Sequence, residues 1–311
     1  MVASKSRPRW HELPATAHTH IERLLGGTVI AAQNCPGGFS PGFASRLRLA
    51  DGRRAFVKAM DADAWPDEAV THRTEAAITA VLPATVPAPR FLGAFDDGHW
   101  VVLAFEDIDG GEPPQPWNPT DLDRVVAAVR QLAPAVTPSP IPLPRDHPRL
   151  GGWAQLARDP ARLIRLPDHS RWAADNLATL VQLEEEGLAA AQGPSLVHFD
   201  LYPHNVLLTP RGVLFVDWPH ARLGTPVVDL VIVLSSAAAD RVDPEPILRN
   251  HVAPAELEPS IIDAILAAHA GFMLGSGLSP VPPGLEPIFE AKLRLGHGAL
   301  TWLHQRLRNR D

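Results

Sequence analysis

Four polar residues stand close together among apolar runs. His198, Asp200 and Asn205 lie in Leu196-Val-His-Phe-Asp-Leu-Tyr-Pro-His-Asn-Val-Leu-Leu208, and Asp217 ends Val213-Leu-Phe-Val-Asp-Trp218. Asp200 precedes Asn205 by five positions, and Asn205 precedes Asp217 by twelve. Carboxylate and carboxamide oxygens are hard donors. Mg²⁺ takes one or two such groups and leaves the rest of its shell to water and substrate phosphates. Asn205 and Asp217 suit that role, and Asp200 is then left to accept a proton from an attacking hydroxyl. Turn formation and capping are the competing uses of Asp and Asn. Asp217 fits them poorly, because it closes a very apolar strand and is followed by Trp218. The two apolar runs read as a hairpin that carries these groups on its rim.

Upstream, the pattern is strand-rich. Pro14 to Leu25 reads as a helix ended by Gly26-Gly27. Strands are expected over Thr28–Ala32, Ser45–Leu49 and Arg54–Lys58, with Asp51-Gly52 as a hairpin turn. A helix over Pro66–Val81 follows, then strands over Phe91–Phe95 and Trp100–Phe105. From residue 109 onward helices dominate: from Thr120, its expected cap, to about Leu132, then Trp153–Ile164, Trp172–Ala190, Val228–Ala239, Pro259–Met273 and Leu285–Arg308. The Pro134–Pro148 stretch between the first two reads as an irregular loop. The expected class is α+β and bilobal: residues 1–108 form a lobe with a five-stranded antiparallel sheet and one inserted helix, and 109–311 a mainly helical lobe. No internal repeat is visible.

A chain of 311 residues can bury a core large enough for two such lobes. The net charge of −7 argues against nucleic acid or an anionic membrane surface as the main partner. Most of the excess acid lies C-terminal to residue 108, which suits a cationic small molecule bound there or simply a soluble surface. A single cysteine, Cys35, excludes an intrachain disulfide and a cysteine-rich metal site. The N-terminal MVASKSRPRWHELP lacks the apolar core of a signal peptide, so a cytoplasmic protein is expected, as monomer or homodimer. Of 28 basic residues only Lys5, Lys58 and Lys292 are lysine, so each internal lysine calls for an explanation. Glu184-Glu185-Glu186 reads as a solvated helix face.

His198-Phe-Asp200 with Asn205, then Val216-Asp217-Trp218, resembles the catalytic and metal-binding loops of aminoglycoside phosphotransferases and related small-molecule kinases, which share the protein-kinase fold. The resemblance implies that Asp200 is the catalytic base, that Asn205 and Asp217 bind Mg²⁺, and that His198 pins the loop. It also implies a phosphate-binding lysine on the third strand with a glutamate on the next helix. Lys58 and Glu75 hold those places, and Glu68 is a weaker rival that sits too near the helix start. Gly37 and Gly38, in the loop Asn34–Gly42, would cover the phosphates with backbone amides. The Glu106 carbonyl and the Ile108 amide would bind adenine. Asp229, in Gly224-Thr-Pro-Val-Val-Asp-Leu230, resembles the family's Gly-Asp-Pro…Asp-Leu segment and reads as a brace of the catalytic loop or else a helix N-cap, while Phe199 stands where the family often has glycine.

The implied activity is transfer of phosphate from ATP, with GTP left open, to a hydroxyl of a small molecule. An aminoglycoside or related antibiotic is the first acceptor class implied. A kinase of a choline- or homoserine-like alcohol and an inactive nucleotide-binding module are the alternatives. A protein kinase is disfavoured, because only eleven residues separate Asp217 from Asp229, too few for an activation segment.

Overall fold

The computed structural model describes residues 7–35, 40–253 and 257–309. The chain divides into two units: residues 1–111 with 207–220, and residues 112–206 with 221–311. A boundary drawn from chain order alone leaves 207–220 with the helical part. By packing, that segment belongs to the first unit.

The first unit is built on an antiparallel sheet of β1 (Val29–Asn34), β2 (Phe43–Leu49), β3 (Arg54–Asp61), β4 (Phe91–Asp96) and β5 (Trp100–Glu106), in the order β1-β2-β3-β5-β4. Side chains alternate faces along a strand, and β3 shows what that does. Ala55, Val57 and Ala59 pack with α1 (Ala15–Leu25) through Ala17, Ile21 and Leu25. Phe56 and Met60 face the opposite side, with Ala69 and Ala76 of α2 (Pro66–Thr79). Lys58 shares the parity of Phe56 and Met60, so its chain is directed to the α2 side. Gly26, in the left-handed conformation at φ 64°, ends α1. The turn before β3 uses Gly52 at φ 88°.

The expected hairpin around the polar motif takes a different pairing. Val206–Thr209 pairs with Gly212–Phe215, so the tight hairpin lies after the motif. The apolar residues before it form a short strand, Ser195–Val197, which pairs antiparallel with Arg222–Gly224 in the second unit. The motif therefore connects two small sheets instead of capping one.

The second unit is helical. Asn118, not Thr120, caps the Pro119–Ala135 helix: its side chain accepts from the Asp121 amide, with Pro119 in the first turn. The helix expected over Trp153–Ile164 is broken into Trp153–Ala157 and Pro160–Leu163, since Pro160 has no amide to continue it. The one expected over Trp172–Ala190 is split at Asn176. Glu245–His251 is a further helix. Pro259–Gly277 is apolar and long enough to span a bilayer by composition, yet 78% of its apolar window is buried. It is the central core helix of this unit. It crosses Leu177–Ala190 so closely that a Cβ on Gly187 would sit 2.1 Å from the Ala264 carbonyl oxygen, so only glycine fits there.

Glu184 corrects the reading of its acidic run. It is buried, and its carboxylate accepts hydrogen bonds from the amides of Gly152 and Trp153, at 2.6 Å each, and Ala154. It caps the Trp153 helix from a neighbouring one. Glu185 and Glu186 are exposed.

Candidate active site

In the first unit, Lys58 Nζ donates to both Glu75 carboxylate oxygens at 2.8 Å and to Asp217 Oδ1 at 2.9 Å. Strand parity aims Lys58 at α2, and Glu75 lies on the buried face of that helix. Burial disfavours the ammonium, but Asp217 and Glu75 outweigh it and push Lys58 up to about 12, so it is fully charged. Burial raises the Glu75 carboxyl against the pull of Lys58. Asp217 is the exposed member, with 43% of its side chain accessible, and it adopts a left-handed φ of 68°. Glu68 does not pair with Lys58; burial, and then the charge of Asp217, raise its carboxyl. Arg7, which no pattern in the sequence singles out, is a further cation near Asp217: burial lowers its pKa, and the charge of Asp217 opposes that.

Glu106 ends β5, and the two residues after it are fixed by arginines of the sheet. Arg46 donates to the Ile108 carbonyl at 2.8 Å, and both Arg46 and Arg54 pair with the buried Asp107 carboxylate. Gly37 and Gly38 lie outside the described residues.

In the second unit, the loop after Ser195–Val197 is held through its backbone. The buried Asp229 carboxylate, on the Val227–Ala239 helix, accepts from the His198 amide at 2.8 Å and the Phe199 amide at 2.9 Å. Phe199 is left-handed at φ 64°, a conformation that glycine adopts without cost and a side chain with a Cβ does not. Its ring is buried beside the His147 ring. The bracing role expected of Asp229 is what its carboxylate performs. Burial raises that carboxyl to about 7 even though the two amides favour its charge.

The braced loop presents Asp200. Its Oδ1 accepts from Arg149 Nη1 at 2.8 Å, and its Oδ2 accepts from Asn205 Nδ2 at 3.0 Å. Asn205 Nδ2 also donates to the Asp200 carbonyl at 2.8 Å. Both of those groups are acceptors, so the carboxamide can only turn its nitrogen toward them, and its oxygen is left to point elsewhere. A short 3₁₀ turn, Pro203–Asn205, sets that geometry. His198 is fully buried in this loop. Tyr202 is buried, and burial and the Asp200 charge push its phenol well up. Arg149 is the partner that sequence reasoning missed: it sits at the end of a proline-rich irregular loop with no periodicity to mark it.

Each unit offers one hard oxygen donor of the kind a divalent cation takes: in the second the Asn205 carboxamide oxygen, turned away from Asp200, and in the first the half-exposed Asp217 carboxylate.

A profile of the phosphotransferase enzyme family, APH, matches residues 35–261. The chain belongs to this family. Solved structures of similar fold include a thermostable mutant of aminoglycoside phosphotransferase APH(4)-Ia in complex with ADP and hygromycin B. It is 13% identical, with 93% of this chain and 98% of that one covered and a TM-score of 0.58. The GDP and kanamycin complex of APH(2")-IIia is 12% identical, with 95% and 99% covered and a TM-score of 0.57. A choline/ethanolamine kinase family protein from Mesorhizobium loti is 17% identical, with 91% and 97% covered and a TM-score of 0.51. No curated protein matches the chain. At these identities the family's kinase-like fold is shared, and the acceptors are not thereby transferred.

Proposed function

We propose that this phosphotransferase moves the γ-phosphoryl group of ATP to a hydroxyl of a small molecule in the cytoplasm. Asp200 accepts the hydroxyl proton as the oxygen attacks γ-phosphorus and the bond to the departing diphosphate breaks. Arg149 and Asn205 hold the Asp200 carboxylate so that it is oriented and charged before the acceptor arrives. His198 keeps the loop in place. Lys58, anchored by Glu75, holds the α/β-phosphates. Gly37 and Gly38 supply amides above the phosphates, and the Glu106 carbonyl and Ile108 amide take the purine. Asn205 and Asp217 hold Mg²⁺, which when bound offsets phosphate charge.

The observation that carries this reading is the Lys58 cluster: one of three lysines in the chain, charged, with a carboxylate on each side. An inactive nucleotide-binding module would need the lysine but has no use for a braced and oriented Asp200. The related structures hold ADP in one case and GDP in another, so both triphosphates belong in the assay. The test incubates the protein with Mg²⁺, ATP or GTP, and a panel of aminoglycosides, choline-like alcohols and hydroxy acids, and detects phosphorylated product by mass spectrometry. Product with the native chain and none with Asp200→Ala supports the reading. Nucleotide binding without product from any acceptor would favour the inactive module.

A further inference from the structure

Arg46 is the sheet residue whose bonds reach the segment proposed to take the purine. It stands on β2 opposite Phe56 of β3, and Ala44, two residues before it, stands opposite Lys58. Cross-strand partners project from the same face, so Arg46 and Lys58 share one face of the sheet, about 7 Å apart along the strands. Leu47 and Leu49, of the opposite parity, pack with α1. A nucleotide laid along this face with its phosphates at Lys58 brings its base toward Arg46 and the end of β5.

Arg46 meets that end with both arms of its fork. Nη1 donates to the Ile108 carbonyl at 2.8 Å and lies 3.2 Å from the Asp107 carboxylate, and Nη2 donates to the Gly110 carbonyl at 3.3 Å. Asp107, with 2% of its side chain accessible, is held in addition by Arg54 Nε at 2.7 Å. A few residues on, the Gly111 amide donates to the Leu208 carbonyl at 3.1 Å, and the Leu208 amide donates back at 2.8 Å. The segment is fixed at both ends. Between them the Ile108 amide is half-buried and donates to no acceptor among the described residues. Two carbonyls are covered and one donor is open.

The two purines ask different things of such a segment. Adenine presents its amino donor beside the N1 acceptor, whereas guanine presents the O6 acceptor beside the N1 and N2 donors. With the Glu106 carbonyl as acceptor, the open Ile108 amide completes the adenine pattern. Guanine in the same place sets its N1 donor against the Ile108 donor. Moved along so that O6 receives the Ile108 amide, guanine needs the Ile108 carbonyl for its own donors. That oxygen already accepts from a cation, and the guanine donors would face the guanidinium donors across it. Selection of this kind works by leaving the wrong ligand with unpaired polar groups.

We infer that Arg46 sets the base specificity of this chain: by holding the Ile108 and Gly110 carbonyls it presents the Ile108 amide to adenine and denies guanine its acceptor. Arg46 is a positioning residue that acts on the base through the segment it pins. The inference rests on the reading of Glu106 and Ile108 as the purine edge of the phosphoryl-donor site.

The experiment titrates the full chain with the Mg²⁺ complexes of ATP and GTP by calorimetry, then runs both nucleotides against the acceptor panel. The native chain is expected to bind ATP about tenfold or more tightly than GTP, as one well-matched base edge discriminates. Arg46→Met, which keeps the apolar stem and removes the fork, should lower the ATP-to-GTP affinity ratio about tenfold. Arg54→Met loosens Asp107 but leaves both carbonyls covered, so it should keep the native ratio. Melting curves establish that each variant is folded, and Arg46→Lys, whose single ammonium cannot span both carbonyls, should give a smaller fall and serves if Arg46→Met does not fold. Equal native binding of ATP and GTP, no binding of either, or a ratio unmoved in the Arg46 variants overturns the inference, as does an equal fall in Arg54→Met. Selective binding that relaxes in Arg46→Met, with no acceptor phosphorylated, overturns the phosphotransferase reading instead and leaves the base selection standing. Transfer supported equally by ATP and GTP does the reverse.

Discussion

Around Lys58, position is set by charge meeting charge: one ammonium, two carboxylates, and a sheet face and a helix that bring together residues far apart in the sequence. Around Asp200, position is set by backbone: two amides on one buried carboxylate, a left-handed residue, and a 3₁₀ turn that orients a carboxamide. The first arrangement keeps its lysine charged and lets the cluster respond to a charged ligand. The second fixes one carboxylate in space whatever the ligand. A phosphate-handling site gains from the first, since its Coulombic terms change when nucleotide arrives. A proton acceptor gains from the second, since misplacing it slows transfer directly.

The comparison makes separable predictions. Asp200→Ala should lower turnover about 10²–10⁴-fold, the range for losing a positioned general base, with a smaller loss of melting temperature because Arg149 and Asn205 lose their shared partner. Steady-state rates and melting curves together check it. Lys58→Ala should cost about 3–5 kcal/mol of stability, because it leaves the buried Glu75 carboxylate without its cation. Lys58→Ala combined with Glu75→Gln should recover part of that loss, and denaturant titration measures both. Lack of recovery would mean that the cluster is not held by charge.

Asp229→Ala should cost about 3 kcal/mol, since two buried amides lose their acceptor, and should lower turnover as the loop loosens. Asp229→Asn, whose carboxamide can accept through one oxygen only, should fall between. Full retention of both stability and turnover in Asp229→Ala would remove the brace from the account.

The smallest effect concerns acid. Two buried histidines are held neutral, His72 on α2 in the first unit and His269 on the long core helix in the second. Each is pushed down to about 4, by burial first and then by a neighbouring cation, Lys58 or Arg149. The unfolded chain protonates each below about 6.5, while the folded chain resists until about pH 4. Stability is therefore present above pH 6.5 and is lost as the pH falls through that window. At pH 4.5 the loss should be about 2–3 kcal/mol per histidine. His72→Asn and His269→Asn should each flatten the stability–pH curve by one share, read from urea titrations at several pH values. An unchanged slope in either variant would show that the histidine is not held neutral.

Much of the first unit was legible in the sequence, and the reason is periodicity. Alternation in β3 and the rarity of lysine together single out Lys58, and the apolar face of α2 leaves Glu75 at the right level to meet it. In the second unit, residue type and spacing singled out Asp200 and Asn205, two side chains that the structure brings into contact. Arg149 was not, because an arginine in a proline-rich loop carries no pattern that predicts its neighbour. Glu184 was misread because three consecutive glutamates look like a solvated face, and nothing local shows that one of them caps another helix. The pairing of Ser195–Val197 with Arg222–Gly224 was missed for a related reason. Both strands are only three residues long, too short to show a period, and the tight Val206–Phe215 hairpin between them drew the more local assignment.

The central claim is a division of labour: Lys58 serves the nucleotide and Asp200 serves the proton. Steady-state kinetics of Lys58→Ala and Asp200→Ala, measured side by side on one turned-over acceptor, test it most directly. Lys58→Ala should raise KM for ATP, and Asp200→Ala should lower kcat with KM for ATP nearly unchanged. An Asp200→Ala enzyme with native kcat, or one whose only defect is a raised KM for ATP, would contradict the account.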